Sequence, residues 1–277
     1  MEKKLYLSAP LPFQGQKRNF AKDFIKVLKQ YPDDTVFVDL FGGSGLLSHL
    51  AKHHKPKSTV IYNDFDDFRR RLNAIPVTNL LLTELRKIVD VPRRAPILGE
   101  SREKVLSCIR KFECEYGYID YITLSTSVLF SMKYAINFAD LEKETLYNKI
   151  RITDYPLCPD YLSGLIIKSG DYKVIYDEYK DCPNVVFLVD PPYLSTDSKT
   201  YNMYWKMSDY LDVLTVLAGH RFVYFTSNKS SILELCQWIG RNKHIGNPFE
   251  HCHLLEFKTS MNYNASYTDM MLYTDAA

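Results

Sequence analysis

Thr35-Val36-Phe37-Val38-Asp39-Leu40-Phe41-Gly42-Gly43-Ser44-Gly45 is the stretch on which the fold turns. Thr35 to Phe41 is nearly all apolar and carries one acid close to its end, the pattern of a short strand buried on both faces. Gly42, Gly43 and Gly45 allow a tight turn and a close backbone approach, because a residue without Cβ reaches conformations closed to others. Leu46 to Ala51 then reads as a helix. Thr59-Val60-Ile61-Tyr62-Asn63-Asp64 is a second apolar strand that ends in an acid. Strand, glycine turn, helix, strand is a βαβ unit, so the expected class is α/β with a Rossmann-like parallel sheet.

The pattern extends in both directions. Upstream, Phe20, Phe24, Ile25, Val27 and Leu28 form a helical stripe over 20–30 that Tyr31-Pro32-Asp33-Asp34 stops. Downstream, residues 75–164 change character: helix-like, basic at first, then aromatic-rich, with breaks at Val91-Pro92 and Ala95-Pro96. After Ser163 the strands return. Leu165-Ile166-Ile167 leads into Ser169-Gly170-Asp171-Tyr172. Asn184 to Val189 is a buried strand ending in Asp190-Pro191-Pro192-Tyr193. Residues 222–226, 253–257 and 270–273 read as strands, and 211–217 and 232–238 as helices. The spacing predicts an α/β domain over 1–74 and 165–277, interrupted by a mostly helical insert over 75–164.

The bulk numbers suit this reading. With 277 residues, 46% hydrophobic and 25% charged, the chain has an ordinary globular composition. No apolar run approaches the ~18 residues of a membrane span, and Pro10 and Pro12 break the N-terminal apolar stretch, so a cytoplasmic protein is expected. Six cysteines are scattered without a C-x-x-C pair. His251-Cys252-His253 fits no common zinc spacing, and no metal is expected. The net charge of +2 is unevenly spread: residues 69–111 hold eleven Lys/Arg against four Asp/Glu, a local +7. Such a stretch is either a solvated helix face or a phosphate-binding surface. Arg93 and Arg94 are its candidates for contact with DNA.

Asp190-Pro191-Pro192-Tyr193 carries the sharpest chemistry. Ligands of open α/β sheets bind beyond the carboxyl ends of strands. The prolines stiffen the loop and donate no N–H, which leaves local carbonyls free to accept from a ligand. A carboxylate beside a free carbonyl suits an NH₂ group, and Tyr193 can stack on a planar ring. Asp64, nineteen residues beyond Gly45, is placed to take the hydroxyls of a ribose. The glycine loop matches neither the G-x-G-x-x-G nor the G-x-x-x-x-G-K-[ST] spacing.

Together these residues resemble the D12 class, or Dam-like, N6-adenine DNA methyltransferases, in the order glycine loop, recognition insert, catalytic loop. Pro12-Phe13-Gln14-Gly15-Gln16-Lys17 is similar to the family's N-terminal motif, which implies that Phe13 and Lys17 line an S-adenosylmethionine pocket. By the same resemblance Asp39, Phe41, Gly42, Gly43 and Gly45 surround its methionine part. Asp64 takes its ribose, and Asp171 and Tyr172 lie near its adenine. Thr226-Ser227-Asn228 resembles a later family motif. Asp190, Pro191, Pro192 and Tyr193 would form the catalytic loop, with Asp190 also touching the donor and Tyr193 flooring a flipped base. The implied partners are double-stranded DNA and S-adenosylmethionine; a restriction nuclease is a candidate partner in a restriction-modification pair.

The match has departures. Many relatives carry Glu-Pro-Phe where this chain has Asp39-Leu40-Phe41, and small residues where it has Gln14 and Gln16. The Phe-Asn-Val-Pro pattern of relatives that read GATC is missing, so the recognition sequence is not legible; nor is the oligomeric state. Related loops also serve other planar amines: cytosine N4, RNA adenine, a glutamine side chain. Asp instead of Asn at 190, and the position of the insert, favour DNA adenine. A degenerate nucleic-acid-binding protein is the reading from another class; intact Asp64 and Asp190 argue against it.

Overall fold

The computed structural model describes residues 4–130, 133–192, 205–228, 230–241, 247–262 and 265–275. In chain order the elements are α1 (Ala21–Leu28), β1 (Val36–Asp39), α2 (Leu46–His54), β2 (Thr59–Asn63), α3 (Phe68–Asn73), α4 (Ile75–Ile88), β3 (Pro96–Ile97), α5 (Gly99–Tyr116), α6 (Tyr121–Val128), α7 (Phe138–Leu141), β4 (Leu146–Tyr147), β5 (Ile166–Lys168), α8 (Tyr172–Tyr179), β6 (Val185–Val189), α9 (Met207–Leu217), β7 (Arg221–Ser227), α10 (Ile232–Gly240), β8 (His253–Asn262) and β9 (Ala265–Tyr273).

Two compact units divide the chain. The first comprises Met1–Ser8, Gln16–Asp66 and Asp160–Ala277; the second, Ala9–Gly15 and Asp67–Pro159. The first is built on a seven-stranded sheet of order β5-β2-β1-β6-β7-β9-β8, parallel from β5 to β7 and antiparallel at β9 and β8. This is the α/β, Rossmann-like architecture that the sequence pattern predicts. Successive strand residues face opposite sides. Phe37, Val186, Leu188, Val223 and Phe225 pack beneath α1 and α2, whereas Val38, Phe187, Val189, Phe222 and Tyr224 pack beneath α8, α9 and α10. Both faces are covered, which is why these strands read as continuous apolar runs.

The order reverses at β1: β2 lies on one side of it and β6 on the other. That is the switch point at which a crevice opens beyond the strands' carboxyl ends. The loops leaving β1 and β6 carry Asp39–Gly45 and Asp190–Pro192.

The second unit is mainly helical. Pro76 sits in the first turn of α4, where its missing N–H costs nothing. The helix packs on α5 through buried Leu81, Leu82 and Leu85 and buried Val105 and Ile109. Gly117 closes α5 in the left-handed conformation, and the Asp120 side chain caps α6 by accepting from Thr123 N. Short β3 and β4 pair antiparallel.

One member of the basic stretch from Arg69 does not lie on the surface: Arg71 is buried, with 3% of its surface exposed. Its Nε lies 3.1 Å from both carboxylate oxygens of Asp120, and its Nη2 donates to Pro12 O at 2.7 Å. Other members form exposed ion pairs: Lys87 with Glu84 and Lys104 with Glu100 along their own helices, and Arg110 with the more distant Glu142. No helix among the described residues is long and apolar enough to cross a membrane. Nor does any group of three His, Cys, Asp or Glu among them suit a metal ion.

Candidate active site

The glycine loop fits its surroundings through what it lacks. A Cβ on Gly42 would lie 2.3 Å from the Tyr62 ring and 2.7 Å from the Asn63 carbonyl oxygen. Gly43 and Gly45 have φ of 47° and 70°, in the left-handed region that favours glycine. Gly45 then forms the N-cap of α2, with no side chain capping that helix's first N–H groups. Tyr161 steadies the loop from outside, donating from its hydroxyl to Ser44 O at 3.0 Å.

Asp39, at the end of β1, is fully buried. Its Oδ2 accepts from Ser48 Oγ at 2.7 Å, while Oδ1 has no hydrogen-bond partner among the described residues. Burial, with Asp190 nearby, pushes its carboxyl up to about 7. A buried acceptor held at this cost is matched by a ligand that brings positive charge.

At the end of β2, the Tyr62 hydroxyl lies 2.8 Å from Gly43 O and 2.9 Å from Asp64 Oδ1. It therefore ties the glycine loop to the acid expected at a ribose. Asn63 clamps the neighbouring loop: its Nδ2 donates to Leu40 O and Gly170 O, and its Oδ1 accepts from Gly170 N at 3.2 Å. Sequence reading missed both Tyr62 and Asn63. Their signal was present, since polar atoms at the carboxyl end of an otherwise apolar strand reach the crevice. Asp171 is exposed and caps α8, accepting from Lys173 N at 2.8 Å. Phe41 and Tyr172 meet with ring centroids 4.8 Å apart, and Trp205 joins them 6.0 Å from Tyr172.

Asp190 follows β6. Its Oδ2 lies 2.6 Å from Lys17 Nζ; 19% of the Asp190 side chain and 7% of the lysine's remain exposed. Burial raises the Asp190 carboxyl and the Lys17 charge opposes this, with Asp269 on β9 adding a smaller upward push. Thus Lys17 and Asp190, 173 positions apart in sequence, are brought into contact. Pro191 and Pro192 continue the chain from there, and Tyr193 lies outside the described residues. Phe13 falls in the second unit, edge-on to Phe68 at 5.7 Å. Arg93 and Arg94 stand in the exposed turn before β3, where neither makes a salt bridge among the described residues; Arg93 Nη1 donates to Ile150 O at 2.9 Å.

The family model of the D12 class N6 adenine-specific DNA methyltransferases matches residues 13–215, most of the chain. This chain belongs to the D12 class. A Haemophilus influenzae protein named "Putative methyltransferase" is 34% identical, the match covering 98% of this chain and 93% of that protein. An rRNA methylase from Streptococcus thermophilus aligns at a TM-score of 0.34 with 11% identity, covering 92% of this chain and 95% of that one. That likeness is too slight to bear on substrate. Membership and fold imply S-adenosylmethionine as the methyl donor of this D12 methyltransferase. The residues present fit it: Asp39 Oδ1 is an orphaned buried acceptor suited to a cation.

Proposed function

We propose that the chain methylates the exocyclic N6 of adenine in DNA. The observation that carries this reading is Asp190 at the carboxyl end of β6, at the sheet's switch point, with its Oδ2 held by Lys17, in a chain of the D12 class. Bound S-adenosylmethionine supplies a methyl group on a positively charged sulfur. Asp64 takes the ribose hydroxyls, Asp39, Phe41 and the Gly42–Gly45 backbone hold the methionine end, and Asp171 and Tyr172 lie toward the adenine. The roles of Phe13 and Tyr193 rest on the family motifs alone.

The adenine amine is a weak nucleophile because its lone pair is delocalised into the ring. Asp190 and the Pro191 carbonyl accept its two hydrogens and draw the nitrogen toward tetrahedral geometry. The nitrogen pair forms the new N–C bond as the methyl–sulfur bond breaks, and the breaking bond's electrons stay with sulfur. One proton then leaves the nitrogen through Asp190 to solvent. Alignment and electrostatics supply the catalysis. The target amine is hidden in a duplex, so the base must be flipped out to reach this acceptor pair. The second unit, with Arg93 and Arg94 exposed, is assigned to the DNA backbone. Incubating the protein with labelled donor and either DNA or RNA, then digesting to nucleosides, tests the reading. N6-methyladenosine of the deoxy series is expected; label in cytosine or only in RNA would overturn it.

A further inference from the structure

The family motif implies that Lys17 contacts the methyl donor; the structure shows that its ammonium also engages the catalytic-loop acid. Lys17 Nζ sits 2.6 Å from Asp190 Oδ2. The lysine is placed by its own chain: it immediately precedes a short turn of 3₁₀ helix, Arg18–Phe20, whose Phe20 is buried in the core. Its charge also lies 5.8 Å from the centroid of the Phe225 ring. The stem is buried, so the ammonium cannot swing to water without loss.

The pair has acidic company. Asp39 lies at the end of the adjacent strand β1 and feels the Asp190 charge. Asp269 approaches from β9, with Tyr267 two residues before it on the same face, and Tyr267 senses both Asp269 and Lys17. Asp269 Oδ2 itself accepts from Thr259 Oγ1 at 3.0 Å. Asp190 therefore has two further carboxyl groups, Asp39 and Asp269, close enough to act on it or be acted on by it, and Lys17 is the cation in direct contact with it. Without that cation, repulsion and burial both favour a protonated Asp190. A protonated carboxyl turns one acceptor oxygen into a donor, the wrong partner for an amine that has hydrogens to give.

We propose that Lys17 is a positioning residue of the transfer: it holds Asp190 as a charged acceptor, occupies Oδ2, and leaves Oδ1 for the target amine. This rests on the reading that Asp190 accepts from the amine. It adds that the acceptor state is maintained by a residue from the N-terminal segment, and that the pair also prevents Asp190 from retaining the proton released after transfer.

The test compares Lys17→Met, Lys17→Gln and Lys17→Arg, each checked by thermal melting. Turnover is followed from about pH 6 to about pH 9, across the span in which a perturbed carboxyl can titrate. Wild type and Lys17→Arg should share one profile. Lys17→Met and Lys17→Gln should be slow near neutrality and recover by about tenfold per pH unit as the carboxylate forms. Donor affinity, measured by calorimetry, should stay within a few-fold of wild type by this account. In ligand-free protein, ¹³C NMR of the Asp190 carboxyl should show it titrating at higher pH in Lys17→Met. Should Lys17→Met fail to fold, Lys17→Gln, which keeps a hydrogen-bond donor, carries the comparison. An unchanged pH profile, or a loss confined to donor affinity, overturns the inference. Activity surviving in Asp190→Ala overturns instead the function on which it rests.

Discussion

The Tyr62 ring occupies the space that a side chain on Gly42 would need: a Cβ there would stand 2.3 Å from ring carbons Cδ2 and Cε2. The ring cannot easily yield, because its hydroxyl is engaged near Gly43 O and Asp64 Oδ1. Gly42→Ala should therefore cost about 1–3 kcal/mol of stability, the range for overpacking a core. It should also weaken donor binding, since the loop must shift. Gly42→Ala combined with Tyr62→Ala should lose less than the sum of the two single losses, because the clash disappears with the ring. A fully stable single variant would show that the loop relaxes more freely than this contact allows.

Asp64 should carry donor affinity directly. Asp64→Ala is expected to weaken S-adenosylmethionine binding by roughly 1.5–3 kcal/mol, the range for hydrogen bonds to a charged group. Tyr62→Phe removes the hydroxyl that aims the carboxylate and should lose less, about 1 kcal/mol. Calorimetry on the two variants orders the effects; equal affinity in wild type and Asp64→Ala would reject the ribose assignment.

Asp39 gives a pH signature. Its folded-state carboxyl stands at about 7, against about 3.9 for a free aspartate. Between these values the folded protein holds a proton that the unfolded chain has released. Stability should therefore fall as pH rises from about 4 to about 7, by something on the order of 4 kcal/mol, then level off. Asp39→Asn should flatten this slope and melt higher at neutral pH, while binding the cationic donor less well. Denaturation curves across the range check the sign; parallel slopes in the two proteins would contradict it.

Arg93 and Arg94 should touch phosphates, not bases. Phosphate contacts position a duplex without reading it. Replacing both by Gln should weaken binding to methylated-site and unrelated duplexes alike, and lower the slope of log K against log salt by about 0.9 for each lost contact. Donor affinity should stay unchanged. A constant slope would reduce these arginines to a solvated face, and a loss on one sequence only would make them base readers.

The sheet's centre was legible because β1, β2 and β6 are apolar runs closed by an acid, and the site loops follow directly. The antiparallel edge was less so. Only 253–257 and 270–273 carry a strong pattern, yet β8 and β9 run over His253–Asn262 and Ala265–Tyr273, because cross-strand hydrogen bonds extend the ribbon through polar Lys258, Thr259 and Thr268. Charge counting over 69–111 could not reveal that Arg71 is buried against Asp120, a partner 49 residues away. The contact between Lys17 and Asp190 was hidden for the same reason: nothing local in sequence announces it. In the sequence Tyr62 is one more residue of an apolar strand; its hydroxyl, at the strand's end, is what reaches Gly43 O and Asp64 Oδ1.

The most direct measurement is single-turnover methyl transfer to adenine-containing DNA by wild type, Asp190→Asn and Asp190→Ala, at saturating donor. Asp190→Asn keeps an acceptor oxygen and should retain some transfer, whereas Asp190→Ala should fall by 10²-fold or more, about 3 kcal/mol of lost transition-state stabilisation, with melting temperature and donor affinity little changed. Wild-type rates of N6-methyladenine formation in Asp190→Ala would contradict the account at its centre.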